Sequence, residues 1–502
     1  MSTTFADTIQ AYNITSVNNI YIGSISGTPT GCLVTGANQT LNGTFSVNIA
    51  GSSNSIGGTE GITRSYMIGG MSNTIDNSGV GSGTVINAGM LGCDSCTMGT
   101  TVRSRSCIIN STTVSMSSTG STNTVVGVNV GTLGGSSSSG NILAGGSSQT
   151  ISTSGTSTDC AIVGGLTNSI TTSSRCSILG GNGNIINNST SGSITNSSII
   201  SSLTGNITNS VAGYTMSGNA IIGGEDHNIT NRVTRTCILG GFDNTISTSG
   251  TGQIFNSCIL GGSVNQITSS SSGDSGRNVI LGGTSHTITA SGAGIATSST
   301  IAYGSGCTLT NNASCLIGGT NATVTSGLSG IVNLTCSNTT AFNAGTSNVF
   351  HARFSGGYYF TTNAAGTNGV NLTANDSDGW SSFSDIRMKN IHREISYGDV
   401  LNGLDEVHVY NYNYKHDPED AAIKLGCVAQ EFHGVYADKL GIIKKGVTNV
   451  KNINDVYGTD DDPVQAINSA NLAYISLACI KALKAEIEDL KAEIAELKSI
   501  KY

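Results

Sequence analysis

One phrase recurs along most of this 502-residue chain and limits what it can fold into. Two or three apolar residues lead into a glycine pair. Two variable residues, an asparagine-like residue, one more residue and an aliphatic follow. Ile162-Val163-Gly164-Gly165 leads to Asn168 and Ile170, and Ile178-Leu179-Gly180-Gly181 to Asn184 and Ile186. Ile238-Leu239-Gly240-Gly241 leads to Asn244 and Ile246, and Ile259-Leu260-Gly261-Gly262 to Asn265 and Ile267. Looser copies place His227 after Gly223-Gly224, His286 after Gly282-Gly283, Gln149 after Gly145-Gly146 and Asn73 after Gly69-Gly70. Copies between 145 and 282 begin 16 to 22 residues apart, and Ser/Thr/Gly stretches such as 268–273 read as loops of unequal length.

Each apolar run is too short for a helix and rich in β-branched residues, so it reads as a short strand. Gly pairs and Asn supply positive-φ corners that turn a chain within one or two residues. Short strands with corners at a fixed offset, one coil per repeat, predict a mainly β fold: a parallel β-solenoid, of the β-roll or β-helix kind. Three prolines in the whole chain suit stacked ladders in which every N–H is needed. Roughly 16 coils at about 4.8 Å each give a shaft on the order of 75 Å long.

The strand carries a second message. In Ala161-Ile162-Val163, Cys237-Ile238-Leu239 and Cys258-Ile259-Leu260 neighbouring residues are all apolar, yet they must point to opposite faces. One face fills the coil. The other forms an apolar stripe, which marks an interface between several copies of the shaft unless a loop covers it.

Cys160, Cys176, Cys237, Cys258 and Cys315 sit three or four residues before a glycine pair, and read as small apolar fillers of a narrow coil rather than metal ligands or disulfides. Cys93-Asp94-Ser95-Cys96 is a lone CxxC without a second pair, so no metal or other cofactor is expected. His227 and His286 take the corner position held elsewhere by Asn. Glu225 and Asp226 are the sole adjacent acidic pair before residue 384, thin material for a glycan-cleaving site.

Charge divides the chain in two. Residues 1–383 hold 8 Arg, no Lys and 11 acidic residues, so 19 of 383 are charged. Residues 384–502 hold 14 Lys/Arg and 19 Asp/Glu, so 33 of 119 are charged. The net charge of −8 offers no basic patch for nucleic acid. No apolar run approaches the roughly 20 residues that span a bilayer, and the first residues lack the basic and apolar regions of a secretory signal. Thirteen cysteines, an odd number in a long chain, fit synthesis in a reducing compartment.

At the join aromatics return, Trp380 among them. Then come Ser384-Asp385-Ile386-Arg387-Met388-Lys389, Val409-Tyr410-Asn411-Tyr412, Leu425-Gly426-Cys427-Val428-Ala429-Gln430-Glu431, and a long C-terminal helix. This order, over about residues 381–502, resembles the C-terminal intramolecular chaperone of phage endosialidase tailspikes and fibres, a self-cleaving peptidase family. The resemblance implies a small α+β chaperone domain with a Ser–Lys dyad. Ser384 is then the nucleophile and Lys389 the general base of a single-turnover cut between Phe383 and Ser384. A serine hydroxyl needs such a base, and a lysine serves if burial or a cationic neighbour lowers its pKa. Arg387 either does this or holds Asp385. The alternative is a serine that merely caps a short helix, with Asp385 in its first turn.

The domain plan that follows is an N-terminal segment 1–34 for particle attachment, solenoid repeats 35–335, a β-rich neck 336–383, and the chaperone 384–502 with a coiled coil from about 464. Ile480, Leu483, Ile487, Leu490, Ile494 and Leu497 alternate spacings of three and four, as heptad a and d positions do. Ile at a with Leu at d favours two strands, whereas the family implies three. The expectation is a homotrimer. By analogy with the family it is a viral fibre or spike, assembled in the host cytoplasm and carried on the virion surface, with virion components and a host glycan or receptor as partners. Alternatives are a fibre with depolymerase activity and a bacterial trimeric adhesin; a membrane-tethered relative is set aside for want of a spanning segment.

Overall fold

The computed structural model describes residues 20–22, 25–26, 33–35, 39–41, 46–57, 62–76, 85–99, 105–117, 120–152, 155–270, 272, 274–291, 295–336, 340–362, 369–374, 381–382, 385–415, 417–418, 420–446 and 464–500. The chain forms two compact units, Met1–Phe360 with Asn371–Trp380, and Thr361–Val370 with Ser381–Tyr502.

The first unit is a parallel β-solenoid. One ladder of 19 strands runs from Ile20–Ile22 to Phe350–Arg353, each strand pairing in parallel with that of the next coil. A second runs beside it from Ile25–Ser26 to Phe342–Ala344. Between Ser173–Ser174 and Ala296–Thr297 a third ladder of seven strands gives the coil a third side. The first ladder reaches past both ends of the expected repeats, to Ile20–Ile22 and Phe350–Arg353. Pairing also continues past residue 335.

The middle residue of each first-ladder strand points inward. Ile162, Ile178, Ile199, Ile221, Ile238 and Ile259 are fully buried and stack in direct register. Each contributes on the order of 2 kcal/mol by its burial. The second ladder supplies Ile170, Ile186, Ile207, Ile229, Ile246 and Ile267 in the same manner.

The glycine pair turns the first ladder into the second, and its two members do different work. At Gly240, φ is +68° and an added Cβ would meet nothing within 4 Å. At Gly241, φ is +92° and a Cβ would lie 2.2 Å from the Gly262 carbonyl oxygen and 2.6 Å from Asn244 Nδ2. The first position therefore needs a backbone conformation, which Ala50 and Ser201 also adopt at φ +58° and +50°. At Gly241 the second position needs the absence of a side chain, whereas coils that carry Cys93 or Ser202 there do so without a positive φ.

The asparagine of the repeat is not itself a positive-φ residue; Asp243 and Thr167, one position earlier, are. Asn244 and Asn265 are instead buried and form a side-chain ladder. Asn265 N–H donates to Asn244 Oδ1 (3.0 Å), while Asn244 Nδ2 donates to the Gly262 carbonyl (3.1 Å). The amide oxygen satisfies an N–H that the corner leaves unpaired, and the amide nitrogen adds a second donor to a carbonyl that also accepts from Phe242 N–H. His227 and His286 belong to the same column: their Nδ1 atoms accept from the N–H of Asn244 (3.3 Å) and Cys307 (3.2 Å). Burial holds both imidazoles below their ordinary pKa.

The CxxC is this corner in disguise. Cys93 and Cys96 occupy the slots of the second glycine and the asparagine, three residues apart like Gly70 and Asn73, and Cys96 N–H donates to Asn73 Oδ1 (2.9 Å). The other cysteines divide by slot. Cys160, Cys176 and Cys315 are buried at the corner before the first ladder, where Asn141, Asn219 and Asn278 stand in other coils. Cys237 and Cys258 are half-buried neighbours on the outward side of the strand, so the filler reading fits the former group and not these two.

The second unit is α+β. A short helix Tyr397–Asn402, capped by Ser396 Oγ, is followed by a 3-10 turn Gly403–Glu406. Val409–Tyr412 pairs antiparallel with Lys424–Cys427. Ala429–His433 runs on into a π-helical turn Gly434–Lys439, and a 32-residue helix Ser469–Ile500 closes the described chain. Val400, Phe432, Val435, Tyr436, Ile475, Ala478 and Cys479 form its core. None of the described helices is long and apolar enough to cross a membrane.

Candidate functional site

Two features of the second unit bear on its chemistry: the start of the matched motif and the end of the long helix. Phe383 and Ser384, the expected cleavage bond and nucleophile, lie outside the described residues. Asp385 opens the 3-10 helix Ile386–Met388 as its N-cap, accepting from Arg387 N–H (2.8 Å). The same carboxylate takes a fork from Arg387, Nε to Oδ1 at 2.9 Å and Nη2 to Oδ2 at 2.7 Å. That pairing holds the Asp385 carboxyl below the usual carboxylate range. Of the two roles open to Arg387 in the sequence, the side chain takes the second. Lys389 is exposed, its backbone N–H closing the turn on the Ile386 carbonyl.

The Gly-x-x-Ala-Gln-Glu run has a structural use that spacing did not disclose. Glu431, in the first turn of Ala429–His433, accepts from Tyr410 O–H (2.7 Å) and from His408 N–H (3.0 Å). It ties the helix to the first strand of the antiparallel pair, and these bonds, that of Tyr410 foremost, keep its carboxyl ionised below its usual range. Two positions on, His433 is buried. Its Nε2 accepts from Gly446 N–H (3.3 Å), so Nδ1 carries the proton and donates to Gln465 Oε1 (2.8 Å). With the bond from Ala466 N–H to the Gly446 carbonyl (2.8 Å), it joins the two ends of the stretch 447–463. A histidine ending an amphipathic run gave no sign of this in the sequence.

The long helix has two halves. Ile475, Ala478, Cys479 and Ala482 are buried in the unit's core. Ile480, Leu483, Ile487, Leu490, Ile494 and Leu497, the expected seam, are 45% to 64% exposed within this one chain. Six large aliphatics in a line on a water-facing helix are a contact surface awaiting a partner helix.

The shaft presents a comparable line. The third residue of each first-ladder strand faces outward: Val163, Leu179, Ile222, Leu239, Leu260 and Leu281 are 39% to 48% exposed, and no described loop covers them. Glu225 and Asp226 lie at an exposed corner, Asp226 accepting from Thr204 Oγ1. No group of three or more His, Cys, Asp or Glu side chains among the described residues is placed to hold a metal ion.

A protein-family model described as chaperone of endosialidase matches residues 384–441, beginning at the serine of the Ser-Asp-x-Arg-x-Lys run. It covers the start of the second unit through the π-helical turn and stops before the long helix. No curated protein and no solved structure matches the chain.

Proposed function

We propose that this chain is a viral fibre or spike subunit whose C-terminal unit gathers three copies, starts their shafts in register and then severs itself. The carrying observation is a coincidence of boundaries. The chaperone match begins at Ser384, where the lysine-free, weakly charged arm ends, and the same unit ends in a helix with six unpartnered a/d residues.

Physics supplies the need. A parallel solenoid has no local hairpin to fold first, and every rung exposes a strand edge until the next is laid. Three chains held at their C-termini share a high effective concentration and a common register. Cleavage afterwards removes the route back and leaves a kinetically trapped product.

In the cut, Ser384 Oγ attacks the Phe383 carbonyl carbon as its proton passes to the neutral Lys389 amine. The bond to the Ser384 nitrogen breaks, the nitrogen takes up that proton, and water hydrolyses the resulting ester. Arg387 spends its charge on Asp385. The freed shaft is carried on the virion and meets a host glycan or receptor, a reading that rests on family analogy.

Expressed protein should run on a denaturing gel as two bands of 383 and 119 residues. Ser384→Ala should leave one full-length band while assembly persists. Undiminished cutting in that variant would end the dyad assignment.

A further inference from the structure

The outward side of the first ladder has more organisation than an apolar stripe. Two columns run along it, two residues apart on each strand and therefore about 7 Å apart. One is a ridge of large aliphatics, from Val163 to Leu281. The other is made of small residues: Ala161, Ser177, Ser198, Ala220, Cys237 and Cys258, in unbroken register. Beside this trough lies the corner preceding the strand, where Arg175, Arg235 and Arg277 stand exposed at φ of +53° to +56°, Asp159 taking the same position in the Ala161 coil. Beside the ridge lies the glycine-pair corner, which carries Glu225, Asp226 and Asp243. One face thus reads, from edge to edge, basic, small, large, acidic.

Loop lengths set this face apart. From the second to the third ladder the connection varies from one residue (172) to five (249–253). That variable corner is the one not bordering the first ladder, so the loops that change from coil to coil do not overhang the ridge and trough.

We propose that this face is the seam between copies of the chain, the ridge of one shaft seating in the trough of the next, three times around a closed ring. The assignment rests on the trimeric reading above. In a ring about a three-fold axis each copy offers one half of the face and receives the other half of its neighbour. The order of the columns then sets large against small and the acidic edge of one copy against the basic edge of the next. Arg235 and Asp243 flank the same strand, so copies aligned rung for rung bring them to one height. Parallel C-terminal helices supply that alignment.

The test uses full-length protein carrying Leu239→Cys, with Cys258→Ala to remove the neighbouring thiol on the same shaft. Diamide oxidises the paired thiols, and light scattering on the same sample counts the copies. Position 239 of each copy faces Cys237 of the next, so the expected product is a covalent trimer on a non-reducing gel, holding most of the chain. Thr230→Cys, outward on the second ladder, should give almost none. Trimers by scattering without covalent trimer, or with equal cross-linking from Thr230→Cys, would overturn the seam and leave the trimer standing. A ceiling at covalent dimers would overturn the ring in favour of two faces meeting about a two-fold axis. A monomer by scattering would overturn the trimeric reading and the seam with it. A second arm swaps charges: Arg235→Asp and Asp243→Arg should each lower the trimer fraction at low salt, and the double variant should restore it. Failure of the double variant to recover would remove the edge pairing.

Discussion

The shaft and the C-terminal unit solve opposite problems with opposite chemistry. In the shaft each coil finds its partners in the coil above and the coil below: stacked isoleucines, a column of side-chain amides, and strand pairing that runs in one direction throughout. Nothing in one coil is stable alone, as in any one-dimensional stack. The C-terminal unit instead gathers a helix, an antiparallel pair and a π-helical turn around Phe432 and Tyr436, with Val400 and Cys479, 79 residues apart, meeting in the same core. It closes on itself around one core, and it leaves a line of apolar residues on the last helix. The lesson is one of closure: a unit that completes its own core is joined to one that only propagates.

The sharpest way to break this comparison is to separate the two. A chain ending at residue 383 should yield insoluble shaft, with soluble yield falling by tenfold or more against the parent; abundant soluble trimer would show that the shaft starts itself. Next comes the corner. Gly241→Ala combines a strained φ with a Cβ 2.2 Å from a backbone oxygen, and should cost about 3 kcal/mol or more. Gly240→Ala, with open space, should cost about 1 kcal/mol. Unfolding of the assembled shaft in denaturant measures both, and equal costs would mean the corners do not stack as described.

A smaller effect is expected inside the amide column. Asn265→Ala strips the acceptor from His286 N–H (3.0 Å) and one of two donors from the Gly283 carbonyl (3.2 Å), which keeps Ser263 N–H (2.9 Å), at about 1–3 kcal/mol for the one group left unpaired. The mildest test is acid. Burial holds His227 and His286 neutral in the folded shaft, where their Nδ1 atoms accept, while the unfolded chain protonates near pH 6.5. The unfolded state therefore binds more protons, and stability present above that pH is lost as pH falls through and below it. His227→Asn with His286→Asn should flatten this slope in thermal unfolding followed from pH 8 to pH 5. An unchanged slope would place the acid sensitivity in the C-terminal unit.

Much of the shaft could be read from spacing, because a solenoid writes its period into the chain. Gly240-Gly241 announced a corner, and Ile238 beside Leu239 announced two apolar faces. The function of Asn244 was misplaced for a physical reason: asparagine favours both left-handed backbone and side-chain capping of backbone groups, and one sequence cannot separate the two. The third ladder has no regular apolar signature: Ser173–Ser174 and Ser275–Gly276 carry none, while Ile194, Met216, Val233 and Ile254 each fill one coil. The arginine corner was hidden likewise, five of the eight shaft arginines being at equivalent left-handed positions that only the coil register aligns. In the second unit the motif located the join and the heptads located the exposed line, but Glu431 and His433 act across 13 to 32 residues, beyond the reach of local pattern. The chemistry at Ser384 remains a reading from the motif, with Asp385 and Arg387 already engaged to each other beside it.

The uneven connections between the second and third ladders have one more consequence. Elsewhere the coil is a fixed gauge, since any added residue would throw the stacked isoleucines out of line. At this edge a peptide can lengthen or shorten while the rungs stay at about 4.8 Å. Variation can then accumulate there as a vertical row of short, closely spaced displays. A lineage could change what the rod shows to its surroundings without relearning how to build the rod.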